Sequence, residues 1–202
     1  MRERVRGVVN DNVGGIAYLM KKNKIDVHQG LGSFKSAHEV LVKSEKGETV
    51  ISGKNIVIAT GSKPSTLPGI EIDKKTVITS TEALFLEKQP KSMVVIGGGV
   101  IGCEMASVYA RLGTKVTIVE YAESLIGTMD KDLGKVLSKV FKKDGIEILT
   151  GHAVSSAKGS KNKATIVAKN LKKGEEIKLD AEICLVAVGR RPFTEGLNLE
   201  AA

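Results

Sequence analysis

The apolar positions change their spacing along the chain, and the changes divide it. Between Val5 and Lys22 the apolar residues Val5, Val9, Ile16 and Leu19 recur at helical spacing. This predicts an α-helix, with Gly14-Gly15 lowering its propensity. Short strand-like runs follow at Ile25–Gln29, Glu39–Lys43 and Thr49–Ile51, with Glu45–Glu48 as a turn. Asn55–Ala59 predicts a compact strand ending at Thr60-Gly61-Ser62, and Lys63–Gly69 a Pro- and Gly-bearing connector to a loop near Ser80.

From Lys91 the pattern is different. Ser92–Ile96 is apolar enough for a strand buried on both faces, and Gly97–Gly102 interrupts it. Glu104–Leu112 predicts a helix stopped by Gly113, and Lys115–Val119 a β-branched strand ending at Glu120. Asp130 or Asp132 can cap a helix that runs to about Lys143, where Asp144-Gly145 closes it. Strands are predicted at Ile146–Leu149, Ala153–Ala157, Ala164–Ala168 and Glu176–Leu179, and Ile183–Val188 leads into Gly189. Alternating strands and helices followed by a run of strands predict an α/β domain: a parallel sheet with an antiparallel addition over residues 91–189, residues 1–86 belonging elsewhere.

Composition changes this picture little. Hydrophobic residues make up 42% and charged residues 27%, ordinary values for a globular chain. The longest apolar runs are strand-sized, too short to cross a bilayer, and the opening Met1–Arg6 has no apolar signal stretch. The net charge of +8 falls in scattered pairs such as Lys21-Lys22, Lys142-Lys143 and Lys172-Lys173, without interleaved aromatics. That predicts a solvated lysine-rich surface, with neither nucleic acid nor membrane as partner. Two cysteines, Cys103 and Cys184, make no disulfide framework, which fits a reducing compartment. They read as small buried hydrophobes. His28, His38 and His152 show no metal-ligand spacing and no paired acid, so surface or structural roles are expected and no metal site.

The sharpest chemical signal is Gly97-Gly98-Gly99-Val100-Ile101-Gly102, with Gly97, Gly99 and Gly102 in G-x-G-x-x-G spacing. Gly97 permits a tight turn off the strand, Gly99 lets backbone amides approach a diphosphate, and Gly102 lets the helix pack on the sheet. Helix N–H groups and the helix dipole then favour the anion. Alone the spacing is weak, but here it follows a strand, opens a helix and precedes a second strand ending in Glu120, 18 positions after Gly102. Together these predict a Rossmann-like dinucleotide site. A carboxylate at Glu120 accepts hydrogen bonds from the adenosine ribose but repels a 2′-phosphate, and Tyr121, Ala122 and Glu123 supply no arginine, so NAD is expected over NADP.

Three separated segments carry a family resemblance. Ile56–Pro64, with Thr60-Gly61-Ser62 at its centre, resembles the second flavin signature of flavoprotein disulfide reductases. Gly97–Glu104 resembles their NAD(P) signature, and Ala187–Thr194 the crossing back to the flavin domain. Thr79–Leu84, Val100-Ile101-Gly102 with Glu104, and Gly189–Thr194 are most similar to the dihydrolipoyl dehydrogenase family, within the class I pyridine nucleotide-disulfide oxidoreductases. The resemblance implies residues 1–86 as part of a discontinuous FAD-binding domain, 87–190 as the NAD-binding domain and 191–202 as the start of the return to the flavin domain.

It further implies NAD contacts from Gly97, Gly98, Gly99, Val100, Ile101, Gly102, Cys103, Glu104 and Glu120, with Val154 near the adenine and Gly189 towards the nicotinamide. Glu104 resembles the acid meeting the nicotinamide amide, and Val100 a small gate between the two rings. Gly32, Thr60, Gly61 and Ser62 resemble FAD contacts. The family's C-x4-C exchange disulfide and its His–Glu acid–base pair have no counterpart in these 202 residues, so no catalytic residue is assigned. The chain is accordingly expected to be a central fragment, inactive by itself. The complete enzyme of such a family is a homodimer acting on dihydrolipoamide carried by an acyltransferase or carrier protein of 2-oxoacid dehydrogenase or glycine cleavage complexes. Its setting would be the cytoplasm, or the mitochondrial matrix in a eukaryote. Two rivals stand beside this reading: another flavoprotein disulfide reductase, and a non-catalytic NAD-binding module.

Overall fold

The computed structural model describes residues 2–202, which form two compact units. The first comprises the chain up to Gly61 together with Pro192–Ala202, and the second Ser62–Arg191.

In the first unit α1 (Arg2–Lys22) carries Glu3 in its first turn and Lys21 and Lys22 in its last, charges that suit the helix dipole. It ends where Lys24 takes a positive φ of 55°. The strands β1 (Leu31–Ser36), β2 (Glu39–Ser44) and β3 (Gly47–Ser52) form an antiparallel meander. Phe34 and Val42 are buried in it. Asn198 and Leu197 bind the two backbone polar groups of Phe34, with Asn198 Nδ2 donating to its carbonyl at 2.9 Å and its amide donating to Leu197 at 2.7 Å.

Two expected strands are absent. Ile25–Gln29 is irregular and the strand forms after it, at β1. Asn55–Ala59 also pairs with nothing as a strand, and Val57 is 85% exposed. An apolar run becomes a strand only where a neighbour takes its ladder hydrogen bonds, and periodicity does not report neighbours.

In the second unit β4 (Ser62–Pro64) pairs with a late strand, and β5 (Val77–Thr79) leads directly into the one-turn helix α2 (Ser80–Ala83). Thr79 and Glu82 close a capping box there. Then come β6 (Ser92–Ile96), α3 (Val100–Arg111), β7 (Lys115–Val119), α4 (Lys131–Lys143) and β8 (Glu147–Leu149). The long strands β9 (His152–Ser160), β10 (Lys163–Asn170) and β11 (Glu176–Ala181) make a separate antiparallel sheet. β12 (Ile183–Val186) returns to the parallel sheet, and β13 (Arg190–Pro192) is the partner of β4.

The parallel sheet has the order β5-β12-β6-β7-β8. Val77–Thr79, set by sequence in the preceding domain, is its edge strand, pairing with Cys184–Val186. Three residues after a turn-rich stretch give too short a pattern to announce a strand. The two faces of the sheet are covered differently. Met93, Val95, Ile118 and Leu185 pack with Tyr109 of α3 and Phe141 of α4. Val94, Ile96, Val119 and Val186 pack against Ala157, Ala164, Ile166 and Ala168 of the antiparallel sheet. Burial on both faces explains why β6 and β7 read as unbroken apolar runs. The α/β architecture expected from sequence, a parallel sheet with helices plus an antiparallel addition, is what forms. Helix α3 begins at Val100, four residues before the expected start, because Gly102 is accommodated inside its first turn. Asp130 caps α4 as expected, accepting from the Asp132 amide at 2.8 Å.

Candidate functional site

Strand order decides where this unit has a cleft. From β6 the chain crosses through α3 to β7 on one side, whereas β12 occupies the other side of β6. At such a reversal the loops leaving the carboxyl ends of the strands part, and a crevice opens between them. A cleft of about 870 Å³ lies there, lined by the ends of β6, β7 and β12, the start of α2 and the first residues of β9. That volume suits a sizeable organic ligand.

The glycine loop forms its floor. Gly97 has φ of +105°, and a Cβ there would lie 2.4 Å from the Ala187 carbonyl oxygen, so the loop can hug the end of β12 only without a side chain. A Cβ on Gly102 would lie 2.0 Å from the Gly97 carbonyl oxygen, which fixes how closely α3 packs on the loop. Gly99 differs: an added Cβ would meet nothing within 4 Å. Gly99 is the N-cap of the 12-residue helix α3 and supplies no side-chain cap. The start of α3 thus lines the cleft with no side chain capping it at Gly99, the arrangement that receives an anion.

Glu120 stands at the end of β7, half-buried. Its carboxylate accepts from the Gly98 amide on one oxygen and from the Ala122 amide, at 2.6 Å, on the other. It therefore tethers the glycine loop, and its remaining lone pairs can take hydroxyl donors. Beneath the loop, Cys103 directs its thiol at the Gly98 carbonyl, 3.3 Å away. Burial, and next the negative Glu120, push this thiol up to about 11. Burial likewise pushes Cys184 in β12 up to about 12, with a smaller contribution from Asp73. Both cysteines are free and buried.

The structure thus gathers Gly97, Gly98, Gly99, Val100, Ile101, Glu120, Val154 and Gly189 around one cleft. Gly189, with φ of +119°, has its carbonyl taken by the Ser65 amide at 2.9 Å. Gly102 and Cys103 lie buried behind the loop, and Glu104 is exposed on α3 outside the cleft lining. Gly32, Thr60, Gly61 and Ser62 do not line it either. The Thr60 hydroxyl donates to the Phe193 carbonyl at 2.5 Å, and the Ser62 hydroxyl accepts from Arg190 Nε at 2.7 Å. Arg190 and the start of α2 at Ser80 are cleft residues that sequence reasoning missed. So is His152, expected in a surface or structural role, which lines the wall beside Glu120. No spacing signal announced it, because a strand from another sheet delivers it. Among the described residues no three His, Cys, Asp or Glu side chains converge as metal ligands, and no helix is long and apolar enough to cross a membrane.

Comparison with known proteins adds to this geometry. The family model described as pyridine nucleotide-disulphide oxidoreductase matches residues 2–202. Dihydrolipoamide dehydrogenase of Chaetomium thermophilum is 47% identical over 188 residues, covering 92% of this chain and 37% of that protein. The mitochondrial dihydrolipoyl dehydrogenase of Schizosaccharomyces pombe is 42% identical over 194 residues, covering 95% of this chain and 38% of that one. Among solved structures, a cysteine variant of the HOCl-induced flavoprotein disulfide reductase RclA of Escherichia coli, in a Cu(II) complex, superposes with a TM-score of 0.86 at 29% identity. That match covers 99% of this chain and 44% of the other. The chain therefore spans less than half the length of each of these three proteins.

Proposed function

The chain belongs to the pyridine nucleotide-disulphide oxidoreductase family, and from that premise we propose that residues 62–191 bind NAD(H) and that the protein serves a dihydrolipoyl dehydrogenase. One observation carries the reading: Gly99, open to solvent at the mouth of α3, and the Glu120 carboxylate share a single cleft at the reversal point of a parallel sheet. A dinucleotide fits these residues. The α3 amides would hold its diphosphate, Glu120 its adenosine ribose, and Val154 would flank the adenine. Gly189 and Val100 lie towards the nicotinamide end. Gly97, Gly98, Ile101, Gly102 and Cys103 act by shaping and backing the loop.

Glu120 sets the preference for NAD. Its negative charge, already held by two backbone amides, repels a 2′-phosphate. When bound, NAD would supply the hydride acceptor for electrons that such an enzyme takes from dihydrolipoamide through a disulfide and FAD. These residues bind and orient the acceptor and keep its diphosphate on fixed amides. FAD contacts by Gly32, Thr60, Gly61 and Ser62, and a nicotinamide contact by Glu104, rest on the sequence resemblance. The substrate carrier is an acyltransferase or carrier protein of 2-oxoacid dehydrogenase or glycine cleavage complexes, in the cytoplasm or the mitochondrial matrix. Cys103 and Cys184 are both buried and sit on different elements, so neither exchanges electrons with a dithiol, and the 202 residues alone should not turn over dihydrolipoamide.

The test is a calorimetric or fluorescence titration of the chain with NADH and NADPH. Saturable NADH binding with preference over NADPH is expected. Absence of NADH binding, or equal affinity for the two, refutes the assignment.

A further inference from the structure

The wall of the cleft beside Glu120 contains a side chain whose hydrogen-bonding state is fixed from a distance. Asn170 ends β10 and lies opposite His152 across the β9–β10 ladder. Its Oδ1 accepts from the amides of Lys172 and Lys173, at 3.0 and 2.9 Å. Two N–H donors require an oxygen there, so the amide group cannot be turned over. Its Nδ2 therefore faces His152 Nε2, 3.2 Å away. An N–H of Asn170 pointing at Nε2 requires Nε2 to be the acceptor, which places the ring proton on Nδ1. Nδ1 has a matching acceptor, the Thr150 carbonyl at 2.7 Å.

Both polar edges of the imidazole are thus turned to protein partners, and carbon is what the ring has left to offer a ligand. The scaffold behind it is braced. The Leu171 amide donates to the Gly151 carbonyl at 2.9 Å, and Lys172 pairs with Glu123 at 3.2 Å. The His152 amide donates to the carbonyl of Glu120 at 3.0 Å, so the ring is registered to the residue that would meet the adenosine ribose.

We propose that Asn170 is a positioning residue for the adenosine end of the dinucleotide site: through His152 it holds a flat, uncharged wall beside Glu120 that offers no donor to a ribose phosphate. The proposal rests on the NAD-binding reading above and deepens it. It assigns part of the preference for NAD to a side chain in a hairpin turn behind the cleft, in addition to the carboxylate that faces the ribose.

Asn170→Asp separates this role from a structural one. An aspartate keeps both acceptor bonds to Lys172 and Lys173, so the turn and the thermal midpoint should stay, but it cannot donate to Nε2. The experiment uses the full chain and reads ring protonation by ¹⁵N NMR. It also measures affinity for NADH, NADPH and, as a probe of the other half of the cleft, reduced nicotinamide mononucleotide. In the parent protein the His152 ring should carry its proton on Nδ1 alone, and in the variant Nε2 should gain one. NADH binding should weaken about five-fold, equivalent to ~1 kcal/mol, because the re-protonated ring no longer presents the same neutral wall beside the adenosine. The gap between NADH and NADPH should narrow, and binding of the mononucleotide should be unchanged. A parent ring protonated on Nε2 overturns the proposal, as does a variant with altered protonation but unaltered NADH and NADPH affinities. If the parent binds NADH and the variant is indistinguishable from it, this proposal fails alone. If the parent binds no NADH, the NAD reading fails and this proposal with it.

Discussion

Gly99→Ala and Gly102→Ala, three positions apart, should fail in opposite ways. At Gly99 the backbone has φ −73° and ψ −175°, extended geometry that alanine adopts freely, and a Cβ there meets nothing within 4 Å. The folded protein should lose at most ~1 kcal/mol, from a poorer N-cap. The added methyl nevertheless stands in the space that a diphosphate must enter to reach the α3 amides, so NADH affinity should fall at least ~10-fold, equivalent to ~1.4 kcal/mol. At Gly102 the Cβ lies 2.0 Å from the Gly97 carbonyl oxygen and 3.1 Å from its carbon. Close carbon–oxygen contacts settle near ~3.3 Å, so α3 or the loop must move by about 1 Å. Overpacking of this kind costs ~1–3 kcal/mol, which for a chain of this size lowers Tm by roughly 2–12 °C. Scanning fluorimetry and NADH titration on both variants separate the outcomes. A Gly99→Ala protein that binds NADH as tightly as the parent refutes the placement of the diphosphate. A Gly102→Ala protein with unchanged Tm refutes the packing argument.

The remaining predictions concern other parts of the same unit. Glu120→Ala removes a charged acceptor worth roughly 1.5–3 kcal/mol, so NADH affinity should fall roughly ten- to a hundredfold and discrimination against NADPH should shrink; unaltered affinities would contradict this. Burial alone would raise the Asp73 carboxyl, but the Thr76 hydroxyl and the amides of Lys75, Val77 and Thr76 together hold it below its ordinary 3.8. A depressed carboxylate contributes stability that is present above about pH 4 and is lost as pH falls through its lowered value. Asp73→Ala should therefore cost ~1–2 kcal/mol at neutral pH, as lost caps do, and its stability should fall less steeply than the parent's between pH 5 and 2; parallel acid-unfolding curves would refute this. With thiols raised to about 11 at Cys103 and about 12 at Cys184, iodoacetamide at pH 8 should label neither in the native chain and both in denaturant, as mass spectrometry would show.

The sequence was most readable where a residue's constraint is local. Gly113 and Gly145 stop α3 and α4 with φ of +94° and +79°, and Asp130 caps α4, all set by their immediate neighbours. β6 and β7 were readable because burial on both faces writes itself into consecutive residues. Asn55–Ala59 is as apolar as a strand, but what a strand requires is a partner, and the described chain puts none beside it. Val77–Thr79 shows the converse: three residues with no pattern of their own become an edge strand because Cys184–Val186 offers a parallel ladder.

The same distinction divides the cleft. Gly102 answers to Gly97 within the loop, Gly97 to the Ala187 carbonyl at the end of β12, and Glu120 to the loop it tethers through the Gly98 amide. Their spacing therefore encodes the site. His152 and Asn170 answer to each other across 18 positions, through a ladder whose register is fixed by the whole β9–β10 pairing, including the irregularity at Val167 and Ala168. A histidine whose Nε2 partner lies on another strand, and whose Nδ1 partner is a backbone carbonyl, reads as an idle surface residue. Only when the antiparallel sheet covers one face of the parallel sheet does the base of β9 reach the end of β7, where the His152 amide meets the Glu120 carbonyl. The antiparallel addition thus contributes more than cover for Val94, Ile96 and Val119. It also lines the cleft, through His152, Ala153 and Val154 at the start of β9. In the proposed NAD site the diphosphate end would rest on backbone geometry and the adenosine end on side chains from the second sheet, so substitutions in β9 and β10 should change which nucleotide binds more readily than whether one binds.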